Sequence, residues 1–228
     1  MNDREQVKQN VIAYHSRELR EMKDRAVTGA REVLPEFRAG DRILDIGCGA
    51  GQTLIVKASA HDCVGLDVNM DALELGRSWK PELKLVCAPA EALPFAPESF
   101  DLVMARVSLP YTNIPLVLAE VARVLKPSGR FWTLLHSFGK LRKIYLRDLN
   151  WRRVGAFGLV SINGLVLHFL HRPLDLPASR LETFQTQSGF QYLLETAGFE
   201  NIRFEQEGML LASANKPTAV RDAPTVRT

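Results

Sequence analysis

The sequence predicts an α/β fold in which helices cover both faces of a doubly wound, seven-stranded, mostly parallel sheet. Short apolar runs alternate with amphipathic stretches through the middle of the chain, a pattern typical of parallel strands joined by helices. A glycine-rich turn follows the first apolar run. Two runs near the C-terminus are close enough to pair antiparallel, which predicts one reversed strand at the end of the sheet.

The predicted elements follow in chain order. A polar helical region covers about residues 3–34 and ends before Pro35. Apolar periodicity then predicts five strands near 42–46, 62–66, 84–87, 101–105 and 130–135, with helices near 52–59, 70–79 and 113–125 between them. A later helix, about 186–197, stops at Gly198, and the last two strands are 201–206 and 209–214.

Residues 42–53 are the most informative segment, because an apolar run there ends in Gly47, Gly49 and Gly51. Without a Cβ atom these residues let the backbone bend sharply and approach a ligand. The N–H groups at the start of the next helix can receive a carboxylate or phosphate. A dinucleotide fingerprint needs a glycine at position 52, where this chain has Gln52, so the spacing favours another nucleotide-type cofactor.

Asp67 closes the next apolar run, about twenty residues after the first glycine. At the carboxyl end of a second parallel strand, its carboxylate can accept hydrogen bonds from both hydroxyls of a ribose. Its alternative role is to cap the helix that starts near Met70, but Asn69 stands at a better position for that cap. We therefore expect Asp67 to bind a ribose.

Three further blocks follow in order, at residues 90–95 (Ala-Glu-Ala-Leu-Pro-Phe), 99–103 (Ser-Phe-Asp-Leu-Val) and 118–129 (Leu-Ala-Glu-Val-Ala-Arg-Val-Leu-Lys-Pro-Ser-Gly). With the glycine loop and Asp45 before it, they resemble the class I S-adenosylmethionine (SAM) methyltransferases, within them the type 11 family related to the ubiquinone and menaquinone biosynthesis methylases. The resemblance covers about residues 40–135 well. It implies a Rossmann-like fold, SAM as cofactor with S-adenosylhomocysteine as product, and a small-molecule acceptor.

The resemblance also implies the cofactor contacts. They are the loop residues Asp45, Gly47, Cys48, Gly49 and Gly51, then Asp67 with Val68 beside the adenine, and Ala90 and Glu91 near the adenine edge; Arg106 is added to this set. Relatives usually carry an Asp before the Ala-Glu pair, and this chain has Pro89. The hydrogen bond to the adenine amino group must therefore be lost or replaced, with Glu91 as the candidate replacement.

In the predicted fold, the carboxyl ends of the fourth and fifth strands face the methyl group, which places Arg106, Tyr111 and His136 nearest the acceptor. His136 is the candidate general base, because imidazole titrates near neutral pH. Its alternative role is packing under the segment that follows. Tyr14 and His15, on the N-terminal helix, are weaker candidates, and the remaining histidines are assigned to structural or lid positions: His61, His168 and His171.

Residues 137–184 are predicted to form an inserted cap or lid. Six cations stand against one acid in residues 140–153, namely Lys140, Arg142, Lys143, Arg147, Arg152 and Arg153 against Asp148, and residues 154–170 are almost wholly apolar. This order is typical of a surface helix at an anionic membrane, or of a lid over a lipophilic acceptor. An ordinary packed cap with a solvated basic face is the alternative, because Gly155, Gly158 and Gly164 weaken a long helix.

Composition agrees with one enzyme domain over residues 1–216, with a helical cap at 1–35 and a disordered tail at 217–228. The 228 residues are 46% hydrophobic and 24% charged, enough to bury a core without disulfides or metals. The start of the sequence lacks a signal-peptide pattern, so we expect a cytoplasmic protein. A net charge of +3 is too small to indicate nucleic-acid binding.

The three cysteines, Cys48, Cys63 and Cys87, have no C-x-x-C spacing. They fall in or beside predicted strands or the glycine loop, so we expect buried thiols in a reducing compartment. The spacing argues against a zinc site.

Three other functions can be compared with methyl transfer to a small molecule. Gln52 and the Leu-Lys-Pro-Ser-Gly block at 125–129 argue against an NAD-dependent reductase. An amino-methyltransferase of proteins or nucleic acids would need an Asn-Pro-Pro-Tyr-like motif starting at Arg106, and residues 108–111 (Ser-Leu-Pro-Tyr) are out of register by two. A SAM-binding sensor or scaffold without catalysis stays open.

Overall fold

The computed structural model describes residues 3–28, 33–57, 60–147, 150–170, 185–206 and 209–218. Its helices are α1 (Asp3–Thr28), α2 (Gln52–Lys57), α3 (Met70–Trp79), α4 (Ile114–Val124), α5 (Phe138–Tyr145), α6 (Trp151–Leu170) and α7 (Gln187–Thr196). Its strands are β1 (Arg42–Ile46), β2 (Asp62–Asp67), β3 (Lys84–Cys87), β4 (Phe100–Arg106), β5 (Leu125–His136), β6 (Glu200–Gln206) and β7 (Met209–Asn215). His171 and the predicted tail from residue 219 onward lie outside the described residues.

The seven strands form one sheet in the order β3-β2-β1-β4-β5-β7-β6. β1 pairs in parallel with both β2 and β4, whereas β7 runs antiparallel between β5 and β6. The predicted doubly wound sheet with one reversed strand is confirmed. The chain progresses outward in opposite directions from β1 and β4, and in such sheets ligands bind beyond the carboxyl ends of the strands at this switch point.

Helices cover both faces because the central strands are apolar on both sides. On one face Leu44 and Phe131 pack into a core shared with α4 and α7. On the other, Ile43 and Trp132 pack with side chains of the α2 and α3 region. Parallel strands with two covered faces read as nearly continuous apolar runs, as β1 and β4 do here.

α4 is tied to the loop before β4 by an ion pair. The Arg123 guanidinium donates to Glu120 Oε1 at 2.7 Å and to the carbonyls of Leu93 and Phe95 at 2.9 and 2.8 Å. Glu120 Oε2 accepts from the Leu93 N–H at 2.7 Å. The Arg123 hydrogen bond holds the pKa of the Glu120 carboxyl below its usual value. The Glu120 and Arg123 side chains thus join the block at 118–129 to the backbone of the block at 90–95.

β5 begins five residues earlier than the predicted start at residue 130. Leu125 pairs with Phe100 and Arg130 pairs with Leu102, so residues 126–129 bulge out of the ladder between these pairs. Ser128 adopts a φ of +61° within this bulge. The Pro-Ser-Gly sequence therefore makes a bend inside a strand.

α6 runs unbroken through its glycines for 20 residues. Val160 and Leu167 are buried, so tertiary packing outweighs weak helix propensity here. One expectation is wrong: Cys87 is exposed, unlike Cys48 and Cys63, because it is the last residue of the edge strand β3.

None of the described helices combines the length and the hydropathy that crossing a bilayer requires.

Candidate cofactor and acceptor site

The glycine loop lies directly after β1, at the switch point of the sheet. Gly47, Gly49 and Gly51 have φ values of +72°, +56° and +72°, in the left-handed region that favours glycine. A Cβ atom on Gly47 would lie 2.2 Å from Ser108 Cβ, and one on Gly49 would lie 2.5 Å from His15 Cε1. Side chains at these two positions would therefore collide with the walls of the site.

Hydrogen bonds within the protein engage most of the amides of this loop. The N–H groups of Gly47 and Cys48 both donate to the Leu66 carbonyl, at 2.7 and 3.0 Å. The Gly49 N–H donates to Asp67 Oδ2 at 2.8 Å. These bonds fix the loop against the end of β2, so what it offers a ligand at these positions is close backbone approach.

Asp67 is the half-buried last residue of β2. Its Oδ2 accepts from Gly49 and its Oδ1 accepts from the Asn69 N–H at 2.8 Å. A carboxylate has about four lone-pair sites, so two remain for other donors. Asn69 caps α3 by accepting from the Ala72 N–H at 3.1 Å, as the sequence indicated.

A cavity of about 190 Å³ lies between α1, the glycine loop and the end of β4. Four of its lining residues come from α1, six from β1 and the loop region, and two from the end of β4: Tyr14, His15, Glu18 and Met22; Asp45, Gly47, Cys48, Gly49, Gln52 and Thr53; Arg106 and Val107. Ligand sites usually measure about 300–1,000 Å³, so this cavity matches part of a nucleoside-type cofactor. Neither Asp67 nor Val68 is among the described residues that line this cavity, and Val68 is exposed just past the end of β2.

α1 closes the cavity by packing on the loop. Leu19 and Met22 are buried against Ala50, and His15 Nδ1 lies 3.1 Å from Gln52 Nε2. Burial lowers the pKa of His15, while the carboxylates of Asp67 and Glu18 act in the opposite direction. Burial, with the Glu18 carboxylate, also raises the pKa of Tyr14. At neutral pH, both side chains are therefore presented to the cavity uncharged.

Arg106, the last residue of β4, reaches the cavity from the other side. Its Nη1 donates to Thr53 Oγ1 at 2.9 Å. Val107 follows with a φ of +56°, which is unusual for a β-branched residue and marks local backbone strain. The strained residue follows Arg106 directly, at the point where the chain leaves β4.

Tyr111 and His136 are not among the described residues that line the cavity. Tyr111 is exposed at the end of a short 3-10 helix (Leu109–Tyr111), and His136 is the half-buried last residue of β5, opposite Met209. The described lining also includes no residue of α5 or α6. Of the three predicted catalytic side chains, the structure brings only Arg106 into the cavity.

Sequence reasoning missed the α1 wall beyond Tyr14 and His15. Positions 15, 18 and 22 follow the i, i+3, i+7 spacing of one helix face, and this periodicity was the available signal. It also missed Thr53, which only the folded loop places beside Arg106.

At the predicted adenine edge, Ala90 is buried in the core. Glu91 Oε1 accepts from the Asn113 N–H at 2.8 Å, next to the first residue of α4. One of the lone-pair sites of the Glu91 carboxylate is therefore used within the protein, and the others stay available to an outside donor. That Glu91 replaces the missing Asp stays a prediction.

The buried thiol of Cys48 has a pKa raised well above its ordinary value, mainly by burial and further by the carboxylates of Asp45 and Asp67. This thiol is therefore protonated at neutral pH, and the site does not present a thiolate nucleophile there.

A family model described as a methyltransferase domain matches residues 44–133. A demethylmenaquinone methyltransferase of Symbiobacterium thermophilum is 38% identical over 190 residues, which cover 74% of this chain and 72% of that one. The uncharacterized methyltransferase YcgJ of Bacillus subtilis is 36% identical over 108 residues, 44% of this chain, so the match spans only 43% of that relative's length. A solved SAM-dependent methyltransferase from Mesorhizobium loti has a TM-score of 0.59 at 20% identity, over 87% of this chain and 96% of that one.

A doubly wound sheet with a glycine loop after β1 and an acid at the end of β2 defines a Rossmann-like protein built for a nucleoside-type cofactor. The chain belongs to the family of SAM-dependent methyltransferases. The cofactor of that family is SAM.

Proposed function

We propose that this chain binds SAM across the glycine loop and Asp67 and methylates a small lipophilic or aromatic acceptor, at a hydroxyl, amine or carbon. A quinone precursor fits this description, and so does a phenolic natural product. The observation that carries the proposal is the cavity at the carboxyl ends of β1 and β4, bounded by Gly47, Gly49 and Arg106. The quinone-pathway name of the Symbiobacterium relative supports this acceptor class.

The side chains present fit SAM. Asp67 keeps two lone-pair sites for the ribose hydroxyls, and Val68 offers an exposed apolar surface to the adenine. Gly47 and Gly49 both line the cavity, so the loop backbone can face the amino-acid portion there. When bound, SAM supplies a methyl group on a positively charged sulfur, which is already activated for displacement.

The remaining task of the chain is to position the acceptor. Holding two reacting groups in line at near-attack distance can contribute about 7–11 kcal/mol. Tyr14 and Met22 close the cavity from α1, and Arg106 is held by Thr53 from the loop side. We infer that these side chains limit the space in which the acceptor can approach the methyl group.

A general base is required only for an acceptor that arrives protonated, such as a phenol. His136 remains the candidate from the sequence, and the geometry favours His15 as a second candidate because it lines the cavity with a lowered pKa. Replacing each histidine by Gln in turn shows which one is the base. The variant that lacks the base should turn over about 10²-fold more slowly than wild type, while its SAM affinity stays nearly unchanged.

The first test is calorimetric titration with SAM, S-adenosylhomocysteine and NADH. We expect the first two to bind and NADH not to bind. Asp67→Ala should weaken SAM binding by about 2–4 kcal/mol, roughly 30-fold or more, because it removes the acceptors of the ribose hydroxyls. Asp62→Ala, at the opposite end of the same strand and in exposed ion pairs only, is the matched control and should bind like wild type.

Equal SAM affinity of wild type and Asp67→Ala would contradict the ribose role, and tighter binding of NADH would contradict the cofactor. Labelled SAM offered with a panel of phenols and quinols tests catalysis separately. Tight SAM binding without transfer to any member of the panel would favour a sensor or scaffold.

A further inference from the structure

α6 presents an apolar stripe to solvent along its whole length. Six large side chains between 43% and 78% exposed make up this stripe: Trp151, Val154, Leu159, Ile162, Leu165 and Phe169. Their spacing of three to five residues places them on one face of the helix. A contiguous exposed apolar surface of this kind marks an interaction site more often than chance exposure does.

The opposite face of α6 is anchored to the protein. Val160 and Leu167 are buried, and His168 Nδ1 lies 3.0 Å from Thr186 Oγ1 at the start of α7. The Phe157 ring packs against the ring of Phe138 on α5, with centroids 5.5 Å apart. The stripe is therefore held facing outward by a helix that is fixed on its other side.

Exposed cations lie close to the stripe along the chain. They occur on α5, which packs against α6 through its Phe138 ring, after α5, and at the start of α6: Lys140, Arg142, Lys143, Arg147 and Arg153. The described ranges 137–147 and 150–170 contain no Asp or Glu. A second copy of this chain would bring the same cations face to face, so like-charge repulsion opposes self-association here. An anionic lipid surface satisfies both features, because it pairs with cations and accepts apolar side chains.

We propose that the α5–α6 surface docks on anionic bilayers, with the α6 stripe at the boundary of head groups and acyl chains and the α5 cations at lipid phosphates. This surface does not contribute to the described lining of the glycine-loop cavity. Docking would bring the enzyme to the place where apolar acceptors concentrate and would leave the cofactor site on another part of the molecule.

Vesicle flotation tests the proposal, with neutral phosphatidylcholine vesicles compared with vesicles holding about a third phosphatidylglycerol. We expect wild type to float with the anionic vesicles only, and binding to fall as salt rises. Lys140→Glu/Lys143→Glu should lower the partition coefficient about 25-fold or more, because each surface cation is worth about fivefold. Ile162→Ser/Leu165→Ser/Phe169→Ser should abolish flotation.

Matched control variants carry the same kinds of substitution outside the α5–α6 surface. Arg38→Glu/Arg203→Glu reverses two exposed cations outside the surface, and Val7→Ser/Val56→Ser/Leu116→Ser removes three exposed apolar side chains. Both controls should bind vesicles like wild type. The proposal is overturned if wild type stays in solution with anionic vesicles, or if the controls lose as much binding as the surface variants. Dimerisation that depends on Ile162 and Phe169, with no vesicle binding, would instead assign the stripe to a second copy.

Discussion

The half-buried position of His15 links the cofactor loop to pH. Its pKa in the folded protein lies below the ordinary value, chiefly because burial disfavours the imidazolium. As pH falls through about 6.5, the unfolded chain binds this proton more readily than the folded one. The free energy of unfolding is therefore unaffected by His15 above that pH and is reduced below it.

We predict that His15→Gln flattens the pH dependence of stability between about pH 7.5 and 5, because the variant removes a group whose pKa is lower in the folded than in the unfolded chain. Urea unfolding at a series of pH values measures the slope. Tyr14→Phe, a neighbouring change that removes no group titrating in this range, should keep the wild-type slope. The interpretation fails if the slope of His15→Gln equals that of wild type.

At the scale of elements, the Glu120–Arg123 pair fastens α4 to the loop at Leu93 and Phe95. Arg123 satisfies two backbone carbonyls and Glu120 satisfies one amide. Hydrogen bonds that involve a charged group contribute about 1.5–3 kcal/mol when partly buried. The loop precedes β4, so this fastening sets the path of the chain into the central strand of the site.

We expect Arg123→Met to lower the free energy of unfolding by about 2–4 kcal/mol, because it leaves the two carbonyls and Glu120 without their donor. Chemical denaturation followed by circular dichroism measures the loss. Lys84→Met breaks an exposed ion pair with Asp62 and should cost less than about 1 kcal/mol. Similar losses in the two variants would show that the Arg123 contacts are no stronger than a surface pair.

The elements that sequence predicted well are those with a local signal. Apolar runs predicted the bounds of β1, β2 and β4 within one or two residues. The type and position of Asn69 predicted the N-cap of α3. The early start of β5 could not be predicted, because Leu125 pairs with Phe100, which is distant along the chain. The Pro-Ser-Gly sequence at 127–129 also reads locally as a turn. The sequence left open whether residues 151–170 form one helix. Local propensity does not report the burial of Val160 and Leu167, which stabilises α6 despite its glycines.

The candidate site divides in the same way. The glycine spacing and the position of Asp67 can be read directly from the order of residues along the chain, so the cofactor loop was predictable. The contact of His15 with Gln52 depends on how α1 docks, and the burial that lowers the His15 pKa exists only in the fold. Strand order alone placed His136 near the acceptor, but the described cavity is bounded by α1 instead.

At the scale of the molecule, β7 is the element that completes the sheet. It pairs with β5 over seven residues, from Arg130–Asn215 to His136–Met209, and with β6 on its other side. Leu210, Ala212 and Ala214 of β7 are buried in the main core. Without β7, the strand β6 has no neighbour in the described sheet and the edge of β5 is open.

We predict that a chain ending at residue 206 loses cooperative unfolding, because it forfeits both ladders of β7 and its part of the core. A chain ending at residue 218 keeps every described element and should unfold with the wild-type midpoint. Urea titration followed by tryptophan fluorescence compares them. A cooperative transition at the wild-type midpoint for the shorter chain would show that β7 is dispensable.

The placement of β7 between β5 and β6 also fixes the order in which the last strands can join the sheet during translation. β6 is translated before β7, yet it joins the sheet only through β7. Until residue 215 has left the exit tunnel, the nascent chain carries an unpaired strand and an open sheet edge. Both features promote aggregation and are the kind of surface that chaperones bind. The final assembly of this sheet therefore waits for the end of translation of β7, however early the glycine loop has formed.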